Sequence, residues 1–303
     1  MFCNDACDSS PISYTMSSGI VRVGVSGWTH APWRGVFYPK GLKHEQELGY
    51  AAIRFRTLEI TGTFYGTQRP ETFASWAEQV PADFIFAIKA PRAITHILRL
   101  RDSQVPLANF LASGLLRLGI HLGPILWQFP ANFHFDADRI VPFLKLLPHD
   151  TGKAAVLGRK HDNALRVPAW LNVDKERRLR HAFEINHDSF RCQAFIDMLR
   201  AHDVALVCAD SDKPPQLMDV TADFVYCRLS GPGRVHASLD DKAGLDTWAE
   251  RIKSWALGDE RPDAERVGGA ARSRKRDVFV YCDPDKKVHA PDDAMELIRR
   301  LRS

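Results

Sequence analysis

Glu59, Lys89 and Glu184 are the residues of this chain best suited by type and spacing to do chemistry. Each is a charged side chain near the end of a short apolar run, in LEITGTFY, FIFAIKA and HAFEINH respectively. Side chains alternate faces along an extended strand. Thr57, Glu59 and Thr61 therefore share one face, as do Ala87 with Lys89, and Ala182 and Glu184 with Asn186. A charge among small neighbours at a strand end suits a pocket mouth. There a carboxylate serves as general acid or base and an ammonium holds an anionic intermediate, the chemistry of hydrolases, lyases and isomerases. Burying an unpaired charge is expensive, so Lys89 is expected to pair with Glu59 or Glu184, and such a pair can equally serve only to close the structure.

A second set could bind substrate. His96, after the third run, and His187, after the fifth, can shuttle protons or cap a helix; His96 joins the catalytic candidates. Trp28, Tyr65 and Trp127 offer flat apolar walls, and Trp28 follows Ser26-Gly27, where a glycine turn is expected to expose it. Gln128 and Asn186 can orient a ligand amide or hydroxyl. Asp210 and Asp283 close two further runs. Arg228 and the turn opened by Ser230 occupy the region where barrels often hold phosphate. Glu59, Glu184, Asp210 and Asp283 make a divalent ion conceivable, but no metal-ligand spacing supports one, and none is expected. There is no P-loop and no GxGxxG, and the sequence leaves any cofactor unknown.

These residues need elements to position them, and the chain supplies eight. The apolar runs lie at 21–28, 56–65, 83–90, 122–130, 181–187, 205–210, 223–231 and 277–285. Helical patterns separate most of them, at 70–79, 107–118, 189–202, 245–257 and 290–301. Eight strand–helix units with polar residues at the strand ends predict an α/β protein, a (β/α)8 TIM barrel of parallel strands with outer helices and its site on the C-terminal rim.

Composition agrees. At 303 residues, 45% apolar and 26% charged, the chain suits a single globular barrel. Residues 1–19 are expected to form a disordered tail, and 20–303 one domain with insertions near 153–180 and 258–276. The second insertion, polar and glycine-rich, is expected to be a mobile surface loop. A net charge of +4 argues against a broad nucleic-acid surface. No run approaches the roughly 20 residues of a membrane span, and the first residues do not read as a signal peptide. Cys192, Cys208, Cys227 and Cys282 lie in expected strands and helices without CxxC spacing, which suits reduced thiols and a cytoplasmic protein.

The motifs also carry a resemblance. VGVSGW at 23–28, Trp33, Gly35, FYP at 37–39, LEITGTFY at 58–65 and PETFASWA at 70–77 form its first half. FIFAIKAPRAITH at 84–96, LGPILWQFP at 122–130, FEINHDSF at 183–190, TADFVYCRLSG at 221–231, DVFVYCDPD and APDDAMEL complete it. Over residues 20–301 the chain resembles the YecE-like, or domain-of-unknown-function 72, family. That resemblance implies a TIM barrel without a settled activity. It also implies departures: the family usually carries asparagine where Thr61 stands, arginine at Asn186, histidine at Ser230 and an asparagine in the stretch Cys282-Asp283-Pro284. Losing an arginine and a histidine would remove an anion clamp and a proton-transfer group.

Three functions are compatible with these residues. The first is an enzyme working by acid–base chemistry on a small polar molecule, such as a sugar, a nucleoside or a phosphate-bearing compound. The second is a ligand-binding or regulatory barrel without catalysis. The third, a nucleic-acid-processing protein, is disfavoured by the charge. In each of the first two the partner is a small molecule, and no membrane is involved.

Overall fold

The structure, a computed structural model, describes residues 18–210, 215–229, 242–283 and 289–303. Eight parallel strands follow in order: β1 Val21–Ser26, β2 Thr57–Ile60, β3 Ile85–Lys89, β4 Leu122–Gln128, β5 His181–Glu184, β6 Val204–Asp210, β7 Phe224–Leu229 and β8 Asp277–Cys282. Each bonds to the next and β8 bonds back to β1, giving a closed (β/α)8 barrel. The helices are α1 Glu47–Arg54, α2 Gly62–Tyr65, α3 Pro70–Glu78, α4 Gln104–Ala112, α5 Ala137–Leu146, α6 Thr151–Gly158, α7 Gln193–Ala201, α8 Lys242–Leu257 and α9 Ala290–Arg302.

The strands are apolar because both faces are buried. Their outward residues join the helices in one core that includes Val25, Leu58, Phe86, Trp127, Phe183 and Cys227. Their inward residues form a second, smaller cluster. There Ala87, Ala182 and Ala205 face bulk supplied by Phe224, Tyr226, Phe279 and Tyr281, so small residues on one wall complement large ones on the other. The Tyr226 and Tyr281 ring centroids are 5.0 Å apart, and the Tyr281 hydroxyl bonds Thr57 Oγ1 at 2.7 Å. This apolar plug is the floor on which the C-terminal mouth rests.

Local sequence explains the helix ends. Pro70 opens α3 in its first turn, and Asp150 caps α6 by accepting from the Lys153 amide at 2.6 Å. In α9, Asp292 and Asp293 start the helix and Arg299, Arg300 and Arg302 end it, matching the helix dipole. The expected helix over 107–118 is cut short. Gly114 adopts φ +112°, a conformation that favours glycine, and its Cα abuts Pro70, where a Cβ would come within 2.5 Å of Pro70 Cα. The chain then continues as a tighter 3-10 segment, Leu115–His121.

The strand expected over 56–65 also ends early. Thr63 Oγ1 donates to the carbonyls of Ile60 at 3.2 Å and Lys89 at 2.7 Å. These bonds close a helical turn, α2, immediately after β2.

The insertion at 153–180 lies on the barrel. It begins within α6, and Trp170 N donates to Ala112 O at 2.8 Å. The insertion at 258–276 has anchors that its composition does not announce. Buried Asp219 accepts from the amides of Val267 at 3.1 Å and Gly268 at 2.7 Å. The Arg276 guanidinium, at the end of this polar segment, is buried and donates to the carbonyls of Gly258, Arg272 and Arg274. The expected tail falls largely outside the described residues. Cys208, Cys227 and Cys282 are buried free thiols, and burial pushes those of Cys227 and Cys282 up, as suits inert core fillers. Among the described residues no helix is long and apolar enough to cross a membrane.

Candidate functional site in the barrel mouth

The centre of the mouth is Arg228, near the end of β7 and only 4% exposed. Its inward face follows from period two, because Phe224, Tyr226 and Arg228 alternate with outward Val225, Cys227 and Leu229. The guanidinium donates to Glu184 Oε2 at 2.7 Å and to Asp283 Oδ2 at 2.5 Å, and lies 3.5 Å from Glu59 Oε1. One planar cation thereby ties β2, β5 and the residue after β8. Burial alone would lower its pKa, but Glu184, Glu59 and Asp283 together hold it well above the ordinary arginine value.

Each carboxylate has further structure around it. Glu59, fully buried, accepts from the Tyr226 hydroxyl at 2.6 Å, while its Oε1 has no hydrogen bond among the described residues. Burial, then the charge of Glu59, pushes the Tyr226 phenol well up, so it stays a proton donor. Glu184 Oε1 accepts from Gln128 Nε2 at 2.8 Å, and Gln128 pairs with Glu184 across the β4–β5 ladder. Ser26 pairs with Glu59 across β1–β2, and its buried hydroxyl likewise has no hydrogen-bond partner among the described residues.

Lys89 ends β3 on the opposite side of the barrel. The expected pairing with Glu59 or Glu184 is not formed: among the described residues Nζ lies within 4.0 Å of no carboxylate. Arg228 has already engaged both. Nζ instead sits 4.4 Å from the Phe64 ring centroid. Burial pushes the Lys89 pKa down and Arg228 adds to this, against the opposing pull of Glu59, Glu184 and Asp283. His96 meets the same ring edge-on at 5.1 Å between centroids, with Nδ1 2.9 Å from Thr95 Oγ1. Burial first, then Lys89 and Arg92, lowers the His96 pKa, which keeps the imidazole neutral near pH 7. Phe64 thus brings an amine and an imidazole to one side of the mouth.

The remaining candidates are placed as follows. Glu59, Glu184, Gln128, Arg228 and Asp283 are brought together, with Lys89 and His96 beside them. Trp28 is not exposed: at 8% exposure it packs on Trp76 and Phe86 in the outer core. Strand β1 ends at Ser26, and Gly27 at φ +73° breaks the alternation that would have sent Trp28 inward. Trp127 also faces the helices, against Phe110 and Phe143. Tyr65 ends α2 and is 75% exposed, outside any wall. Asn186 turns its amide to Phe129 O at 2.8 Å. His187 caps the short Asp188–Phe190 turn by accepting from Ser189 N at 3.1 Å. Asp210 closes β6 beside Leu229. Ser230 and Pro284 lie outside the described residues. Among the described residues no group of three or more His, Cys, Asp and Glu side chains is placed to hold a metal ion, and three of the four carboxylates considered for one converge on Arg228.

Two residues were missed. Tyr226 stands two before Arg228 on the same strand face, a signal present in FVYCRL. Phe64 lies in a segment read as strand, so its direction was not available from alternation. A separate cleft of about 260 Å³, bordered by Thr63 of α2, Ile94 and Leu98 after β3, Phe110 of α4 and Leu165, is not lined by the charged residues of the mouth.

A closed parallel barrel with a polar, charge-paired C-terminal mouth defines the class of protein. The chain belongs to the family described as Protein of unknown function DUF72, whose model matches residues 22–303. It is 29% identical over 114 residues to the UPF0759 protein YecE of Escherichia coli strain K12, spanning 38% of this chain and 39% of that protein. It thus aligns with about two fifths of the length of the curated relatives it matches. A crystal structure of a DUF72 family protein from Thermotoga maritima MSB8 is similar at a TM-score of 0.67 and 24% identity, covering 93% of this chain and 99% of that one. One from Enterococcus faecalis V583 is similar at 0.65 and 15% identity, covering 95% and 99%. These two likenesses concern the fold.

Proposed function

We propose that the protein is an enzyme acting on a small polar molecule, of the sugar, nucleoside or phosphate-bearing kind, by acid–base chemistry at the C-terminal rim. The observation that carries this reading is the division of labour between the two cations. Arg228 satisfies the carboxylates, which leaves Lys89 at the mouth beside neutral His96 with its proton available for transfer. Lys89 and His96 move protons at the substrate, and Glu59 and Glu184, fixed by Tyr226 and Gln128, orient its polar groups.

A second reading, a ligand-binding barrel without catalysis, is favoured by Asn186. Its amide is spent on the Phe129 carbonyl, at a position where the family resemblance implies an arginine. A screen of the purified protein against a metabolite library by thermal shift, followed by assays for consumption of each hit, separates the two. Turnover that Lys89→Met abolishes supports the enzyme. Saturable binding without consumption supports the binding barrel, and the absence of any hit overturns both.

A further inference from the structure

Lys89 combines three features that acid–base work alone does not require. Its nitrogen is held at a fixed place, 4.4 Å from the Phe64 ring centroid. The carboxylates around it are already bonded, Glu184 and Asp283 to Arg228 at 2.7 and 2.5 Å and Glu59 to Tyr226 at 2.6 Å. Burial first, and then a second cation, Arg228, in the same mouth, act against a positive charge on Nζ, opposed by the pull of Glu59, Glu184 and Asp283. An amine beside another cation and stripped of its counterion is an activated nucleophile toward carbonyl carbon.

The mouth also restricts what can approach. Among the described residues Glu59, Glu184 and Asp283 bring three negative charges against the one guanidinium of Arg228 when Lys89 is a free amine, which, of the substrate kinds proposed above, disfavours the anionic phosphate-bearing one. Among the described residues Glu59 Oε1 and Ser26 Oγ are both buried, on strands paired in register and without hydrogen-bond partners, Oε1 having only the Arg228 guanidinium at 3.5 Å. A buried carboxylate oxygen held only by so long a contact can still accept a hydrogen bond, and the group that supplies it must donate a proton, as a hydroxyl does.

We infer that Lys89 is an amine nucleophile that captures a small, neutral, hydroxylated aldehyde or ketone as an imine, with the substrate hydroxyls bonded to Glu59 and Ser26. The inference rests on reading the mouth as a small-molecule site. With its ammonium proton released to solvent, Nζ uses its lone pair to form a C–N bond while the carbonyl π pair moves to oxygen. One N–H proton passes to that oxygen through the His96 imidazole, giving the carbinolamine. The nitrogen lone pair then expels the hydroxyl, which takes the second N–H proton by the same relay and leaves as water. Amine and carbonyl thus give imine and water, with no oxidant or reductant required.

The test is reductive trapping of the full chain with D-glyceraldehyde and sodium cyanoborohydride at neutral pH. The hydride adds to the imine carbon and fixes it as a secondary amine that peptide mapping locates. The expected result is a saturable adduct at Lys89, formed several-fold faster than at the other lysines and several-fold faster than with pyruvate, an anionic carbonyl. Lys89→Arg, checked for native circular dichroism and unfolding, should remove that adduct alone. Labelling at Lys89 no faster than elsewhere overturns the imine, and faster labelling by pyruvate overturns the neutral substrate class. Thermal shift of wild-type and Glu59→Gln protein with non-carbonyl polyols keeps the two readings apart. If polyols still stabilise wild type but not Glu59→Gln while trapping fails, the imine falls and the small-molecule site stands. If neither responds, both fall.

Discussion

Replacing Arg228 with methionine is the perturbation that the mouth should tolerate least. Arg228 is 4% exposed and contacts Glu184 at 2.7 Å, Asp283 at 2.5 Å and Glu59 at 3.5 Å. At an effective dielectric of about 20 each such pair attracts by roughly 5–7 kcal/mol, before the desolvation that offsets most of it. Removing one partner of a buried network leaves the other charges stranded at a net cost of about 3–5 kcal/mol. For a domain of this size that is a fall in Tm of roughly 6–10 °C. The loss should concentrate on Glu59, whose side chain is fully buried and keeps only Tyr226, whereas the side chains of Glu184 and Asp283 are 10% and 15% exposed and Glu184 keeps Gln128. Adding Glu59→Gln should therefore recover more than half of it. Lys89→Met, which removes a cation without a carboxylate partner and keeps the apolar stem, should change stability by no more than about 1 kcal/mol, the worth of its contact with Phe64. Urea and thermal unfolding of the four proteins measure this. A loss below about 1 kcal/mol for Arg228→Met, or a larger loss for Lys89→Met, would refute the assignment of Arg228 as the clamp.

Three other outcomes follow from the surrounding structure. His181, fully buried, accepts from Trp127 Nε1 at 3.1 Å and donates from Nε2 to Pro148 O at 2.8 Å; burial pushes its pKa down from 6.5 to about 3. Because the folded value is depressed, this contribution is fully present above pH 6.5 and is lost as pH falls toward 3; the stability difference between wild type and His181→Gln should shrink by about 3 kcal/mol between pH 7 and pH 4, and an unchanged difference would sink the neutral assignment. Gly114→Ala meets both a positive φ and the Pro70 ring, so chemical denaturation should show a loss greater than the roughly 1–2 kcal/mol of the backbone term alone. Asp219→Ala removes the acceptor of two loop amides, and limited proteolysis should then cut within 258–276 sooner than in wild type; equal rates would show that Asp219 does not hold the loop.

The barrel was legible because a parallel strand buried on both faces writes itself as an apolar run, and every run found in the sequence marks one strand, β6 beginning one residue before its run. Strand ends were legible for the same reason, which is how Glu59, Glu184, Gln128, Arg228 and Asp283 were found. Pairing was not. Glu59 and Tyr226 are 167 residues apart, and Arg228 and Glu184 are 44 apart. Which cation meets which carboxylate depends on side-chain reach across a closed barrel, information that no local pattern holds. Direction failed wherever a strand stopped early. Trp28 lies beyond Gly27, and Tyr65 lies beyond the turn that Thr63 closes, so period-two alternation no longer applied to either. The anchors of 258–276 were hidden for a related reason, because the partner of its amides, Asp219, comes from a segment 48 residues earlier.

The two cations of the mouth divide their roles because of side-chain shape as much as position. Three carboxylates projecting from β2, β5 and the end of β8 need donors aimed in several directions at once. A guanidinium presents five N–H groups in a rigid plane, whereas an ammonium is a compact point charge on a flexible stem. Arg228 can therefore bridge Glu184 through one terminal nitrogen and Asp283 and Glu59 through the other. Lys89 in the same place could not span that set. Once the carboxylates are bridged from β7, none among the described residues contacts the lysine, and burial together with the neighbouring guanidinium acts against its proton, opposed by the longer-range pull of Glu59, Glu184 and Asp283. The clamp that stabilises the mouth is thus also what leaves the Lys89 amine against the Phe64 ring and without a carboxylate contact among the described residues.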